Sequence, residues 1–183
     1  DRVLRLYADR ERLLAALERL PRTLCHHDAH RGNLFVRSTD SGGDQTVAID
    51  WAQVGTGAVG EDLVQLVISL FADDRRSAAD APAVHETVFA RYLEGLCQAG
   101  WRGDSRLARL GYIVAAVLLG SFSALEMALV PALEPCQHAQ FARTVGQPIE
   151  DYLAQWAQIL SAFLDLVDEA KRLLPIVEDT ARR

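Results

Sequence analysis

The feature that most constrains this chain is a change of hydrophobic period, helical at both ends and extended only between residues 21 and 60. In residues 1–20, Leu13, Leu14, Leu17 and Leu20 fall on one side of a helix, with Arg10, Glu11, Glu18 and Arg19 interleaved, and Pro21 closes it. Residues 23–26, 34–37 and 46–49 are then short apolar runs of strand type. The Ser, Thr, Asp and Gly cluster at 38–44 is a turn or loop, so the last two runs form a small hairpin. From Gly60 onward the spacing is helical again. Residues 61–71 form one helix and 73–80 a polar loop, and Val84, Val88, Tyr92 and Leu96 repeat every four residues up to Gly100. Asp104 is placed to cap a long helix that Pro131 and Pro135 break. A last helix carries Ile149, Tyr152, Leu153, Trp156, Ile159, Leu160, Phe163 and Val167 and ends at Pro175. The expected fold class is mainly α with a small β-hairpin, in a single domain over residues 1–183.

Charge and cysteine content exclude several function classes. A net charge of −6 argues against a general nucleic-acid binder, which needs a basic face. Cys25, Cys97 and Cys136 are odd in number and far apart, which fits neither a disulfide framework nor a cysteine-based zinc pattern. A cytoplasmic location is the natural expectation, since residues 1–20 are charged throughout and do not read as a signal peptide. The uncharged stretch 110–125 holds two glycines and two serines and is shorter than the ~20 residues of a membrane span. It is expected to be a buried central helix, and no membrane partner is expected. The chain opens on Asp1, so it is expected to be a piece of a longer protein.

The polar residues in need of an explanation gather between His26 and Asp50. An apolar run enters the loop His26-His27-Asp28-Ala29-His30-Arg31-Gly32-Asn33, and another leaves it. A third apolar run ends in a carboxylate, Ile49-Asp50-Trp51. Phosphoryl transfer needs this kind of set: a carboxylate to orient a hydroxyl and take its proton, and hard oxygen ligands to hold magnesium against phosphates.

The order H-x-D-x-x-x-x-N, then a hairpin and a strand-ending Asp, resembles the catalytic loop of kinases. The wording is closest to the aminoglycoside phosphotransferase family. Residues 26–33 look like its catalytic loop, Ile49-Asp50-Trp51 like its metal motif, and Gly60-Glu61-Asp62-Leu63 like the start of its next helix. The resemblance implies the helical C-terminal lobe of the protein-kinase-like fold, with the catalytic loop at 25–35, the metal motif at 49–51 and a helical remainder at 60–175. It implies Asp28 as catalytic base, Asn33 and Asp50 as magnesium ligands, and His26, His30 and Asp62 as supports. It also implies ATP, or another nucleoside triphosphate, with Mg2+ as cofactors, and a small molecule bearing a hydroxyl as substrate: an aminoglycoside, a choline-like amino alcohol, an amino acid or a sugar. His27 stands where the family frequently has Gly, and Arg31 where it frequently has Pro. Kinases of this type grip the nucleotide with a separate lobe carrying a flexible loop and a strand lysine. No such loop occurs here, and the single lysine, Lys171, lies in the last helix. The N-terminal nucleotide-binding lobe is therefore expected as a missing partner, and the isolated piece is expected to have little activity.

Other readings of the same residues are a zinc site built from His26, His27 and His30 with Cys25 or Asp28, a helical metal-dependent phosphohydrolase built on His27-Asp28, and a non-catalytic binding or regulatory module derived from a kinase-like lobe. Trp51 and Trp156 read most simply as core residues, and Glu126, Glu134, Glu150 and Asp151 as solvated helix faces.

Overall fold

The computed structural model describes residues 1–40, 42–72, 76–134, 136 and 138–178. Helix α1 spans Arg2–Glu18. Four short strands follow, β1 (Arg22–Cys25), β2 (Leu34–Ser38), β3 (Asp44–Ala48) and β4 (Gly55–Ala58). The remainder is helical: α2 (Leu63–Ala72), α3 (Ala81–Gln98), α4 (Ser105–Ala115), α5 (Ser121–Ala132), α6 (His138–Val145), α7 (Ile149–Asp165), α8 (Val167–Leu173) and α9 (Pro175–Glu178). The chain is mainly α with small antiparallel sheets, as its periodicity predicts.

The β segment holds two ribbons where the sequence suggests one. Strands β2 and β3 form the expected hairpin, from Leu34 opposite Ala48 to Ser38 opposite Asp44. Strand β4, which the apolar pattern does not reveal, pairs antiparallel with β1, from Arg22 opposite Ala58 to Cys25 opposite Gly55. The polar loop 26–33 therefore bridges the two ribbons and is not itself the hairpin turn.

The core is built around α4 and its continuation. Leu110, Tyr112, Ile113, Val114, Ala116 and Val117 are fully buried, packed with Leu6 and Leu13 of α1, Val67 and Phe71 of α2, and Ile159 and Phe163 of α7. Helices α4 and α5 are joined through a single π turn, Ala116–Gly120. The resulting helix runs 28 residues, Ser105–Ala132. By length and composition alone it could cross a membrane. Residues 110–118 are instead buried against other helices. Asp104 caps it as expected, accepting the Arg106 N–H at 2.9 Å.

The turn between β4 and α2 is seated on α4 by two glycines. A Cβ on Gly111 would lie 2.1 Å from the Val59 carbonyl oxygen, and one on Gly60 2.2 Å from that of Ala108. Gly60 has φ +91° and donates its N–H to the Tyr92 hydroxyl at 2.9 Å. This approach fixes where α2 starts, and with it the position of Asp62.

Several sequence expectations need correction. Leu14 is exposed, on the outer face of α1. Trp51 is also half-exposed, whereas Trp156 is core as expected. Helix α5 passes through Pro131 and ends one residue later, so the proline removes one hydrogen bond from the last turn without interrupting the helix body. Pro175 starts the short helix α9, a position suited to its fixed φ, and does not close the last helix outright. The expected polar loop at 73–80 lies partly outside the described residues, as does Pro135; residues 78–80 form a short 3-10 turn.

Candidate active site

The loop after β1 is held at its entry by a carboxylate from the start of α2. Asp62 accepts the backbone N–H of His26 through Oδ2 and that of His27 through Oδ1, both at 2.7 Å. Two consecutive amides can face one carboxylate only if the chain turns sharply, and His27 adopts φ +60°. Its ring lies over β4, within about 3.0–3.2 Å of where Cβ atoms on Gly55 and Gly57 would sit. The glycines of β4 therefore leave room for this ring and for the buried Cys25 side chain.

His26 is buried and ties the entry to the far end of β3, with Nε2 2.7 Å from the Ile49 carbonyl oxygen. A carbonyl only accepts, so the imidazole proton is on Nε2. The bare Nδ1 is buried without a partner. The indole of Trp51 packs on this ring at 4.5 Å between centroids and donates Nε1–H to the Ala48 carbonyl at 3.0 Å. Trp51 thus covers His26 from outside, which accounts for its exposure.

The exit of the loop is a short 3-10 turn, Arg31–Asn33, in which every backbone N–H has an acceptor. That of Arg31 goes to Ser69 Oγ at 3.1 Å, that of Gly32 to His30 Nδ1 at 3.0 Å and that of Asn33 to the His30 carbonyl at 2.9 Å. His30 Nδ1 accepts, so its proton is on Nε2, which faces Asp28 Oδ2 at 3.9 Å.

Asn33 is buried and gives its Nδ2 to Asp28 twice, to the backbone oxygen at 3.0 Å and to Oδ2 at 3.1 Å. The β2–β3 ladder extends one step beyond the strands, Ile49 N–H to the Asn33 carbonyl at 3.0 Å. Asp50, next in the chain, therefore lies one residue beyond the Asn33 register. It is exposed, has φ +58° and makes no side-chain bond to the turn it precedes.

Of the six residues singled out from the sequence, Asp28, Asn33 and His30 thus meet through their side chains. His26 and Asp62 brace the backbone on either side, and Asp50 follows Ile49, the last residue of the ladder, with no side-chain contact to the others described. Ser69 was missed; the signal for it was a polar residue two helical turns after Asp62 in a helix whose only other polar side chain is Gln65.

The donor chemistry distinguishes among metals. Among the described residues no three His, Cys, Asp or Glu side chains converge as a metal site. Burial, aided by the charges of Asp62 and Glu61, pushes the Cys25 thiol up to about 11, which disfavours the thiolate that zinc needs. His26 has committed its Nε2 to a carbonyl. One Asn oxygen and one exposed carboxylate suit a hard cation that keeps waters and phosphate oxygens as its other ligands. The His27-Asp28 pair lies in a loop with left-handed backbone, not on the helix that the phosphohydrolase reading requires.

A family model described as the phosphotransferase enzyme family matches residues 1–107, which include both ribbons, the loop and helices α1 to α3. No curated protein and no solved structure matches the chain.

Proposed function

The chain belongs to the phosphotransferase enzyme family, and from that premise we propose that it transfers the γ-phosphoryl group of ATP, or of another nucleoside triphosphate, to a hydroxyl of a small molecule. The observation that carries this reading is the pairing of Asn33 Nδ2 with Asp28 Oδ2 at 3.1 Å, with Asp50 one residue beyond the Asn33 register and its carboxylate not used as a cap of its own turn. In this reading Asp28 orients the acceptor hydroxyl and takes its proton as the oxygen bonds to phosphorus and the bridging P–O bond to the leaving diphosphate breaks. Asn33 steadies the base through Nδ2, and its Oδ1 together with the Asp50 carboxylate would hold magnesium. The nucleotide and its magnesium bring the transferable phosphoryl group and neutralise its charge. The Nε2–H of His30 faces the Asp28 carboxylate at 3.9 Å. Asp62 and His26 hold the two backbone segments that carry these groups.

We assign the grip on the nucleotide to a partner lobe. Lys171, the single lysine of the chain, is engaged by Asp9 at 2.9 Å. Aminoglycosides, choline-like amino alcohols, amino acids and sugars are the acceptor classes to try, and the charge of −6 favours the cationic ones.

The test is ATP-dependent phosphorylation of pooled acceptors by the chain together with a nucleotide-gripping lobe, beside Asp28→Asn and Asp50→Asn. Product is expected from the wild type, with each variant reduced by roughly 100-fold or more. No product from any pool and no magnesium-nucleotide binding would reject the reading in favour of a non-catalytic helical binding module.

A further inference from the structure

Helix α2 holds the catalytic loop at two points. Asp62, where the helix begins, accepts the amides of His26 and His27 at the loop entry. Ser69, seven residues on, accepts the amide of Arg31 at the loop exit at 3.1 Å. Seven residues is close to two helical turns, so both acceptors fall on one face, ~10 Å apart along the axis. The Ser69 hydroxyl is buried and its rotation is fixed, because its proton is donated to the Leu66 carbonyl at 2.8 Å. That leaves a lone pair for Arg31. The other two amides of the 31–33 turn are satisfied within the loop, by His30. Ser69 is therefore the acceptor through which α2 holds the first backbone amide of this turn, two residues before Asn33.

We propose that Ser69 is a positioning residue for phosphoryl transfer: it fixes the Arg31–Asn33 turn on α2 so that Asn33 is presented to Asp28 and to the metal. This role rests on the function proposed above. Removing the hydroxyl leaves the helix intact, since alanine favours helices, but takes away the hold of α2 on the Arg31 amide at the loop exit. The entry, held by Asp62, stays in place. The loop then pivots about His27, and the Asn33 carboxamide loses its fixed distance to Asp28.

The experiment compares Ser69→Ala and Ser69→Thr with wild type, by residue-resolved hydrogen exchange and thermal melting of the chain and by steady-state kinetics of the chain together with its nucleotide-gripping lobe. Threonine keeps an oxygen that bonds back to the preceding turn and serves as the rescue. In Ser69→Ala, exchange of the Arg31 amide and of the Asn33 side-chain amide is expected to rise about 10-fold or more. The His26 and His27 amides should keep wild-type protection, and kcat should fall roughly 10-fold at unchanged acceptor KM. Ser69→Thr should restore both. Wild-type exchange at Arg31 and Asn33 in Ser69→Ala would overturn the proposal, as would faster exchange with unaltered kcat. Should alanine prevent folding, Ser69→Cys, with its poorer acceptor, gives the same comparison. Faster Asn33 exchange in a protein that phosphorylates no acceptor even as wild type would leave the mechanical link standing and overturn the function assigned to it.

Discussion

At His27 the chain takes a left-handed backbone, φ +60°, that costs a non-glycine residue about 1–2 kcal/mol. Glycine is frequent at this position in the family that the loop resembles, and the geometry gives the reason: both amides must reach Asp62. The histidine is offset by its contact over Gly55 and Gly57. His27→Val, branched at Cβ, should therefore lose about 1–2 kcal/mol of unfolding free energy relative to His27→Gly in urea titration; equal stabilities would refute this account of the turn. Asp50 shares the left-handed geometry, and Asp is among the side chains that tolerate it best. Much of the site was legible at this scale, because Asp28, Asn33 and Asp50 are polar residues confined between apolar runs. Trp51 was not, since an aromatic residue beside a strand reads as core unless the ring it covers is known. Ser69 was hidden because a serine in a helix carries no sign of what it accepts.

Among elements, the least legible was β4. Gly55-Thr56-Gly57-Ala58 has the composition of a turn, yet it is a strand because Cys25 and the His27 ring need the space that its missing side chains leave. The helices were read from their periodicity with boundaries shifted by a few residues, and Gly100 ends α3 with φ +91° as expected. What periodicity could not give was contact between elements. Gly111 looks like an ordinary weak point of α4, but a Cβ there would meet the Val59 carbonyl oxygen at 2.1 Å, backbone against backbone. Gly95 in α3 has nothing within 4 Å of its Cβ position. The two glycines should therefore respond to alanine with opposite sign. Gly111→Ala is expected to destabilise by about 2–3 kcal/mol and Gly95→Ala to stabilise by about 0.5–1 kcal/mol. Thermal melting of the pair checks this, and a harmless Gly111→Ala would mean that the turn before α2 is not seated on α4.

For the whole molecule, the mainly α class was legible from hydrophobic period alone, whereas the placement of buried polar groups was not. His85 is enclosed by the core, its Nδ1 bonded to the Tyr112 hydroxyl, with Arg109, Glu86 and Glu169 nearby. Burial first, and the Arg109 charge second, lower its pKa to about 4, with Glu169 opposing. Between pH 6.5 and 4 the unfolded chain binds a proton there that the native chain refuses, so stability is fully present above pH 6.5 and declines as the pH falls to about 4. The decline amounts to about 3 kcal/mol. His85→Gln should remove this component, seen as a shallower loss of unfolding free energy between pH 7 and 4.5 than in wild type; parallel curves would contradict it. The two-point hold on the loop 26–33 also has a consequence in time. The partners of the His26, His27 and Arg31 amides lie 35 to 38 residues further along the chain. During synthesis the loop emerges well before the groups that shape it, and the seat for α2 on α4 emerges later still. The candidate site is therefore assembled late on the ribosome, and a chain that stalls before α4 has its residues without their arrangement.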